Sequence, residues 1–448
     1  MNRIKHFLTG ALALLTALWW LAEPASPQPL TYFAFRTVYM QYSGVIAMGV
    51  MSIAMLLALR PTWLESHFDG LDKMYRLHKW LGITALVTSV LHWWLGQGTK
   101  WMVGWGWLVR PPRGPRPAPP DQSWIEAWFN TQRHLAESVG EWAFYAAALL
   151  MVLALVKRFP YHWFAKTHQL LAVAYLALVF HSAVLVKFAY WGQPVGWVLA
   201  PLMAGGTVAA ALVLLGRMGA RRKVQGTVTA LTQYTKLGTL ETHITLNPGS
   251  HWPGHAAGQF AFVTINRKEG AHPYTIASAW NADTRQLTFI TKALVDHTRQ
   301  LPALLQPDMA VTVEGPYGRF NFEDDQPRQI WVGAGIGITP FVARMKQLAA
   351  SGARDVQIDL FHPTAQADEG ALAKLQADAR AAGIRLHVLV DARDGHLDGE
   401  RIRRAVPRWQ EASVWFCGPV PFGQALRADM AASGLPRSAF HQELFHMR

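Results

Sequence analysis

The sequence predicts a membrane α-helical bundle of six helices followed by two soluble domains, an antiparallel β-barrel and an α/β domain with a parallel sheet. Three observations carry this. Apolar runs crowd residues 1–216, and the remainder has the mixed composition of a soluble protein, although the whole chain is 51% hydrophobic and only 16% charged. The 20 tryptophans also concentrate in the first half, as a membrane-interface belt requires. From Lys223 the pattern changes to short β-branched runs between turns, and then to strands alternating with helices. At 448 residues there is room for two or three domains.

Residues 7–22 (FLTGALALLTALWWLA) follow Arg3 and Lys5, the pattern of a first spanning helix or of a secretory signal. Trp19 and Trp20 suit an interface anchor and favour a retained helix. Five further stretches, at 38–59, 75–95, 138–157, 166–186 and 196–216, come near the ~20 residues that cross a hydrocarbon core. Arg60, Lys73, Arg76 and Lys79 flank one turn, and Lys157, Arg158 and Lys166 another; Arg217, Arg221, Arg222 and Lys223 follow the last span. The positive-inside rule makes these cytoplasmic and puts both termini on the inner side of a bacterial-type cytoplasmic membrane. One loop dissents: residues 96–137 place Lys100, Arg110, Arg113 and Arg116 outside, in a proline-rich segment expected to be irregular. The net charge of +13 then reflects basic cytoplasmic loops and a site for anionic nucleotides. No basic run interleaved with aromatics points to nucleic acid. The single cysteine, Cys417, excludes an internal disulfide and any cysteine-ligated zinc or iron–sulfur site.

Two spans carry two histidines each. His78 and His92 lie in RLHKWLGITALVTSVLHWWLG, and His168 and His181 in KTHQLLAVAYLALVFHSAVLV. An imidazole inside a membrane helix is costly to leave unpaired and is usually functional. Any one of them has a plain alternative as a hydrogen-bonded structural residue; four at matched depths suggest axial ligands for two haems. The first pair is separated by fourteen residues, which is about 21 Å of rise and about 40° off a single face. The second is separated by thirteen, about 19.5 Å of rise but about 140° in angle. That spacing predicts a π-bulge or kink between the two, or a frayed start at His168. Matched depths pair His78 with His168 near the cytoplasm and His92 with His181 near the outside. Bis-imidazole ligation fills both axial positions and favours electron transfer over oxygen binding at iron. Arg76, Lys79 and Lys166 are candidate partners of inner propionates, or simply positive-inside residues. Arg36 opens the second span at the outer face, where orientation rules ask for no cation, and is a candidate contact for an outer propionate or an acceptor. His6, His67, His134 and His162 lie in polar or terminal contexts and take no such role.

In the soluble half, VQGTVTALTQY, LETHITLNP, GQFAFVTIN, QLTFITKAL and MAVTVEGPYG have the density of strands of a small antiparallel barrel. His272-Pro273-Tyr274-Thr275 places an aromatic between an imidazole and a hydroxyl, a set that can stack on a flavin ring and bond its edge and phosphates. Next, QIWV leads into Gly333-Ala334-Gly335-Ile336-Gly337-Ile338-Thr339-Pro340 and then FVARMKQLAASG. A strand, a glycine-rich turn and a helix start place phosphate on backbone N–H groups. Thr339 as N-cap and Pro340 at the first helical position fit that start. This is neither G-x-G-x-x-G nor a P-loop, and taken alone a tight turn is an equal reading. VQIDLF, the helical ADEGALAKLQADARAAG, RLHVLV and SVWFCGP continue a parallel α/β sheet; Cys417-Gly418-Pro419 closes a strand at the end where such sheets bind ligands.

Six helices with these histidine spacings, then HPYTIAS, GPYG, GAGIGITPF, FCGP and a near-terminal aromatic, occur in an order that resembles the NADPH oxidase/ferric reductase superfamily over nearly the whole chain. The resemblance implies a di-haem membrane domain at 1–220, an FAD-binding barrel at 221–325 and an NAD(P)-binding α/β domain at 326–448. It implies flavin contacts from His272, Pro273, Tyr274 and Thr275, with Tyr274 against the ring and Thr275 near its edge. Ile290, Lys292 and Thr298 resemble the segment that holds the FAD pyrophosphate. Gly333, Gly335, Gly337, Thr339 and Pro340 resemble the pyridine-nucleotide loop, and Cys417 and Gly418 would lie near the nicotinamide. Phe445 resembles the aromatic that covers the flavin, although three residues follow it here. Tyr274 stands where many relatives have phenylalanine. There is no EF-hand pattern, so calcium control is not implied.

The implied reaction passes a hydride from NADPH or NADH to FAD, then single electrons through two b-type haems to an acceptor outside. That acceptor is oxygen, giving superoxide, or a ferric or cupric chelate. The residues leave open a haem-bearing component feeding a periplasmic partner protein, and a cytosolic flavin reductase on an inert anchor. The fused flavin half implies no obligatory protein subunit. Asp368 and Glu369 follow the second strand of the sheet while Arg393 is remote, so the preference for NADPH rests on the resemblance alone.

Overall fold

A computed structural model of the protein describes residues 2–23, 29–111, 123–156, 158–266, 269–294, 296–352 and 356–443. It divides into two compact units, residues 1–64 with 73–218, and residues 65–72 with 219–447.

The helical part runs through α1 (Asn2–Ala22), α2 (Tyr32–Ala58), the short α3 (Thr62–Phe68), α4 (Leu71–Trp93), the short α5 (Thr99–Gly104), α6 (Trp124–Leu155), α7 (Tyr161–Leu185) and α8 (Pro194–Leu214). Among the described residues, five of these are long and apolar enough to cross a membrane: α1, α2, α6, α7 and α8. The expected third span, α4, is long enough at 23 residues, but its first turns carry Asp72, Lys73, Arg76 and Lys79. α6 starts well before the expected 138. Ser123 caps it by accepting from Glu126 N at 3.2 Å, and its polar first half is helical too. Apolarity marks what a bilayer requires, not where a helix begins.

α2 packs along α8, and α6 along α7. The core of α1, α2, α7 and α8 is built from Trp19, Met48, Tyr175, Leu199 and Met203. Ser52 and Tyr175 share a buried hydrogen bond of 2.8 Å, the polar glue that stands in for water between apolar helices. The Trp19 ring packs at a tilt against Tyr42, 4.8 Å between centres, and Glu23, at the end of α1, holds Lys187 in an ion pair and accepts from Tyr190 Oη at 2.7 Å. α1 is therefore an integral part of the bundle's packing.

In the second unit β1 (Lys223–Tyr234), β2 (Thr239–Leu246), β3 (Phe260–Thr264), β4 (Ala271–Thr275), β5 (Gln286–Lys292) and β6 (Ala310–Tyr317) form an antiparallel sheet in the order β4-β3-β6-β1-β2-β5, with α9 (Asp296–Leu304) after β5. An antiparallel bridge between Ile276 and Phe289 draws the two edges together. The enclosed core holds Val228, Ile244, Ala261, Leu287, Phe289 and Val313.

The parallel sheet, in the order β11-β10-β7-β8-β9, comprises β7 (Arg328–Gly333), β8 (Gln357–Thr364), β9 (Arg385–Val390), β10 (Ala412–Cys417) and β11 (Phe440–Gln442). α10 (Thr339–Ser351) follows β7, and α11 (Glu369–Ala381) follows β8. β7 and β10 are buried at every residue. That is why they read as continuous apolar runs: a parallel strand is covered on both faces.

Candidate functional site

The helical unit aligns its four histidines in two facing pairs. The rings of His78 and His168 are 5.9 Å apart between centres, and those of His92 and His181 are 6.3 Å apart. Two imidazoles bound to one metal from opposite sides, at bond lengths of about 2.0–2.1 Å, put their ring centres roughly 6–6.5 Å apart. Both spacings fit that arrangement.

The other ring nitrogens are held from behind. His78 Nδ1 donates to the Ala54 carbonyl at 3.0 Å, and His181 Nδ1 to the Ala136 carbonyl at 2.8 Å. His92 Nδ1 lies 3.0 Å from Ser43 Oγ, whose own proton goes to the Tyr39 carbonyl at 2.7 Å, so the imidazole donates here too. Pinning Nδ1–H fixes the tautomer and leaves Nε2 as the metal-binding atom. His168 differs: its Nδ1 is buried with no hydrogen-bond partner among the described residues, and its ring stacks on Phe164 at 5.1 Å.

The π-bulge expected between the two histidines of the fifth long helix is absent. α7 is α-helical throughout, and His168 lies well inside it, yet both its histidines meet partners. A change of χ1 well alone swings a ring by about a third of a turn, so a helix without a π-turn can present both rings. The π-helical turn falls instead at Trp94–Gly98, directly after His92. Its Leu95 carbonyl accepts from Arg36 Nε at 2.7 Å and from Thr99 Oγ1 at 2.5 Å. Arg36 therefore braces the wide turn beside the His92–His181 pair.

One glycine shapes the His92–His181 pair. A Cβ built on Gly140 would lie 1.9 Å from His181 Nδ1. If each facing pair holds one haem, Gly140→Ala is expected to displace the ring from Ala136 and weaken metal binding at this pair by about 10–100-fold. The check is then the haem-to-FAD ratio of purified protein, which should fall from two towards one; an unchanged ratio would refute the cradle role.

On the antiparallel sheet, alternation along β4 sets His272 and Tyr274 on one face and Pro273 and Thr275 on the other. His297, from α9, stacks on His272 at 3.6 Å with rings 8° from parallel and bonds Tyr274 Oη through Nε2 at 2.9 Å. Burial, with His297 adjacent, pushes His272 down to about 4. Burial also lowers His297, against the pull of Glu269. Both rings are therefore neutral near pH 7. Glu269, His272 and His297 have ligand atoms close enough to share a metal ion. Parallel stacked rings, however, aim their nitrogens side by side rather than at one point, so the trio fits a stacking surface better. Thr298 is committed to its own loop, its hydroxyl accepting from Leu294 N at 3.0 Å.

The third feature is a cleft of about 830 Å³, open to solvent, between the two sheets of the second unit. Ile290 and Lys292 of β5 line one side; Gly335, Ile336, His362, Thr364, Gln366 and Asp368 line the other. Gly337 makes the glycine turn compact: a Cβ there would meet the Cys417 carbonyl oxygen at 2.2 Å. Ala334 N donates to that same oxygen at 2.9 Å. Thr339 is not the N-cap. It is the first residue of α10, with Pro340 second, and its hydroxyl donates to the Ile336 carbonyl at 2.8 Å. Burial holds His362 below its ordinary range, against the bond from Nδ1 to the Gly333 carbonyl at 2.7 Å.

Cys417 is fully buried, and burial with Glu443 nearby pushes its thiol well above the ordinary value. It is a neutral core group, and a Cβ on the adjacent Gly418 would meet the Ala334 side chain at 2.7 Å. Phe445 lies outside the described residues.

The residues that sequence reasoning missed are His297, Glu269, His362, Ser43 and Gly140. His297 had a signal, because it adjoins Thr298 in VDHT. The carbonyls of Ala54 and Ala136 had none.

Sequence comparison matches residues 43–179 to a family described as ferric reductase like transmembrane component, and residues 235–321 to an FAD-binding domain. The chain is 33% identical over 177 residues to an NADPH oxidoreductase of Mycobacterium tuberculosis, covering 37% of this chain and 45% of that protein. It is 24% identical over 243 residues to the mitochondrial ferric reduction oxidase 8 of Arabidopsis thaliana, covering 48% and 31%. The chain thus spans less than half the length of these two relatives. Among solved structures, the flavohem-like FAD/NAD binding domain of nitric oxide dioxygenase from Vibrio cholerae superposes with a TM-score of 0.43 at 19% identity, over 50% of this chain and 98% of that one.

Proposed function

Because the chain belongs to the NADPH oxidase/ferric reductase superfamily, we propose that it carries electrons from cytoplasmic NAD(P)H across a membrane to an acceptor outside, oxygen or a metal chelate. The observation that carries this reading is the two facing imidazole pairs, set on α4 and α7 about 20 Å apart along the helices. His78 with His168, and His92 with His181, would each hold one haem b. His272, Tyr274 and Thr275 would hold FAD, and the Gly335–Asp368 cleft would hold the coenzyme. When bound, these groups supply hydride acceptance and one-electron transfer.

The chain's own share is positional. Ser43 and the Ala54 and Ala136 carbonyls orient three of the four ligand rings. Tyr274, steadied by His297, offers a flat aromatic face. The Gly335–Ile338 turn offers backbone N–H groups at the start of α10. α4 as a sixth span, closure of the antiparallel sheet into a barrel and domain boundaries at 220 and 325 belong to the same proposal. The Ile276–Phe289 bridge and the α4 histidines support it.

The test is anaerobic addition of NADH or NADPH to the purified full chain in detergent with FAD supplied, followed by oxygen or ferric citrate. The expected result is two low-spin haems per chain, reduced by the coenzyme and reoxidised by an acceptor. Flavin reduction that never reaches haem would overturn it in favour of a flavin reductase on an inert anchor.

A further inference from the structure

The end of the cleft beyond β8 carries a charge pattern that bears on which coenzyme it accepts, given the reading of this cleft as a dinucleotide site. In a parallel sheet, side chains just past the second strand meet the adenosine ribose; a carboxylate suits a 2′-hydroxyl, and a nearby arginine accommodates a 2′-phosphate. Here β8 lies next to β7, and Thr364, Gln366 and Asp368 follow into the cleft. His362, neutral and donating from Nδ1 to Gly333, presents Nε2 as an acceptor. Asp368 caps α11, its Oδ1 accepting from Ala371 N at 3.1 Å, and its side chain lies at the cleft wall.

Three lysines line the cleft, and Lys292 lies within the field of His362. Lys374 Nζ bonds both carboxylate oxygens of the buried Glu241, at 2.7 and 2.8 Å. Lys346 lies in the field of Glu241 and Asp378. Lys292 belongs to β5, which adjoins the Gly335–Ile338 turn, where a diphosphate would run. Arg393 forks onto Asp394, beyond the cleft-lining residues. Past β8 the cleft offers acceptors and the Asp368 side chain, with no arginine among its described lining residues.

We propose that this cleft reads a 2′-hydroxyl, so that the chain takes NADH in preference to NADPH, with Asp368 as the discriminating residue. This runs against the preference that the family resemblance implies. A 2′-phosphate dianion would sit beside the Asp368 carboxylate, and like charges placed together are a means of rejecting the wrong ligand.

The test is calorimetric binding of NAD⁺ and NADP⁺ to the FAD-loaded full chain in detergent, unaltered and as Asp368→Ser. Serine keeps the helix cap and removes the charge. The unaltered chain is expected to bind NAD⁺ about tenfold more tightly, and Asp368→Ser to narrow the ratio to about threefold or less by tightening NADP⁺. NADP⁺ binding as tight as NAD⁺ in the unaltered chain overturns the preference while leaving the cleft a dinucleotide site. An unchanged ratio in Asp368→Ser overturns the role of that residue. Binding of neither coenzyme, with FAD retained, overturns the reading of the cleft itself and the inference with it.

Discussion

If the two histidine pairs hold haem as proposed, His92→Ala and His181→Ala are each expected to yield protein with one haem in place of two, and to stop electron delivery to the acceptor while the coenzyme still reduces FAD. Each substitution removes one of the two imidazoles that face each other at 6.3 Å. The remaining ring cannot fill both axial positions. Loss of an oriented partner alone typically costs 10–100-fold, so loss of the ligand itself should reduce delivery by at least about a hundredfold. Pyridine haemochrome titration against flavin content reads the first effect, and acceptor reduction read against flavin bleaching reads the second. If both variants kept two haems and a low-spin spectrum, the outer pair would be structural.

Gly337→Val should separate the two halves of the pathway in the opposite sense. Any Cβ at this position would sit 2.2 Å from the Cys417 carbonyl oxygen, so the turn or the end of β10 must move. Neither is free to do so cheaply. The turn is tied to β10 by the Ala334–Cys417 bond, and β7 pairs β10 through Gly333 and Cys417. Coenzyme affinity is expected to fall about 10–100-fold, the scale of 1–3 kcal/mol of misfit in a packed site. Chemical reduction with dithionite should still give the unaltered haem spectrum. An unchanged KM for the coenzyme would remove this turn from the binding site.

The two kinds of site differed in how far they were legible. The paired histidines could be read from spacing because depth along a helix is linear in residue number. The glycine turn could be read because strand, turn and helix leave distinct patterns. What holds those residues was hidden. His78 and His181 rest on main-chain carbonyls of Ala54 and Ala136, and a carbonyl carries no sequence signal. Gly140 reads as one more small residue in a membrane helix until the His181 ring lies against it. No π-turn interrupts α7, because an imidazole reaches several ångströms and chooses among rotamers, so its spacing along the helix does not fix where its ring points. Thr339 had the chemistry of a cap, but the chain enters the helix one residue earlier, through Ile338.

The wide turn after His92 has a consequence for how the far end of α4 tolerates changes of length. A π-turn is an α-helix carrying one surplus residue. Deleting one residue within Trp94–Gly98 would restore ordinary winding, and because the wide turn already absorbs the extra residue, the segment beyond it would keep its facing. His92 lies before that point and would keep its place, and Trp101 and Trp105 would keep theirs. The segment works as a slack turn: a single-residue change of length is taken up there without altering the register of the histidines beside it.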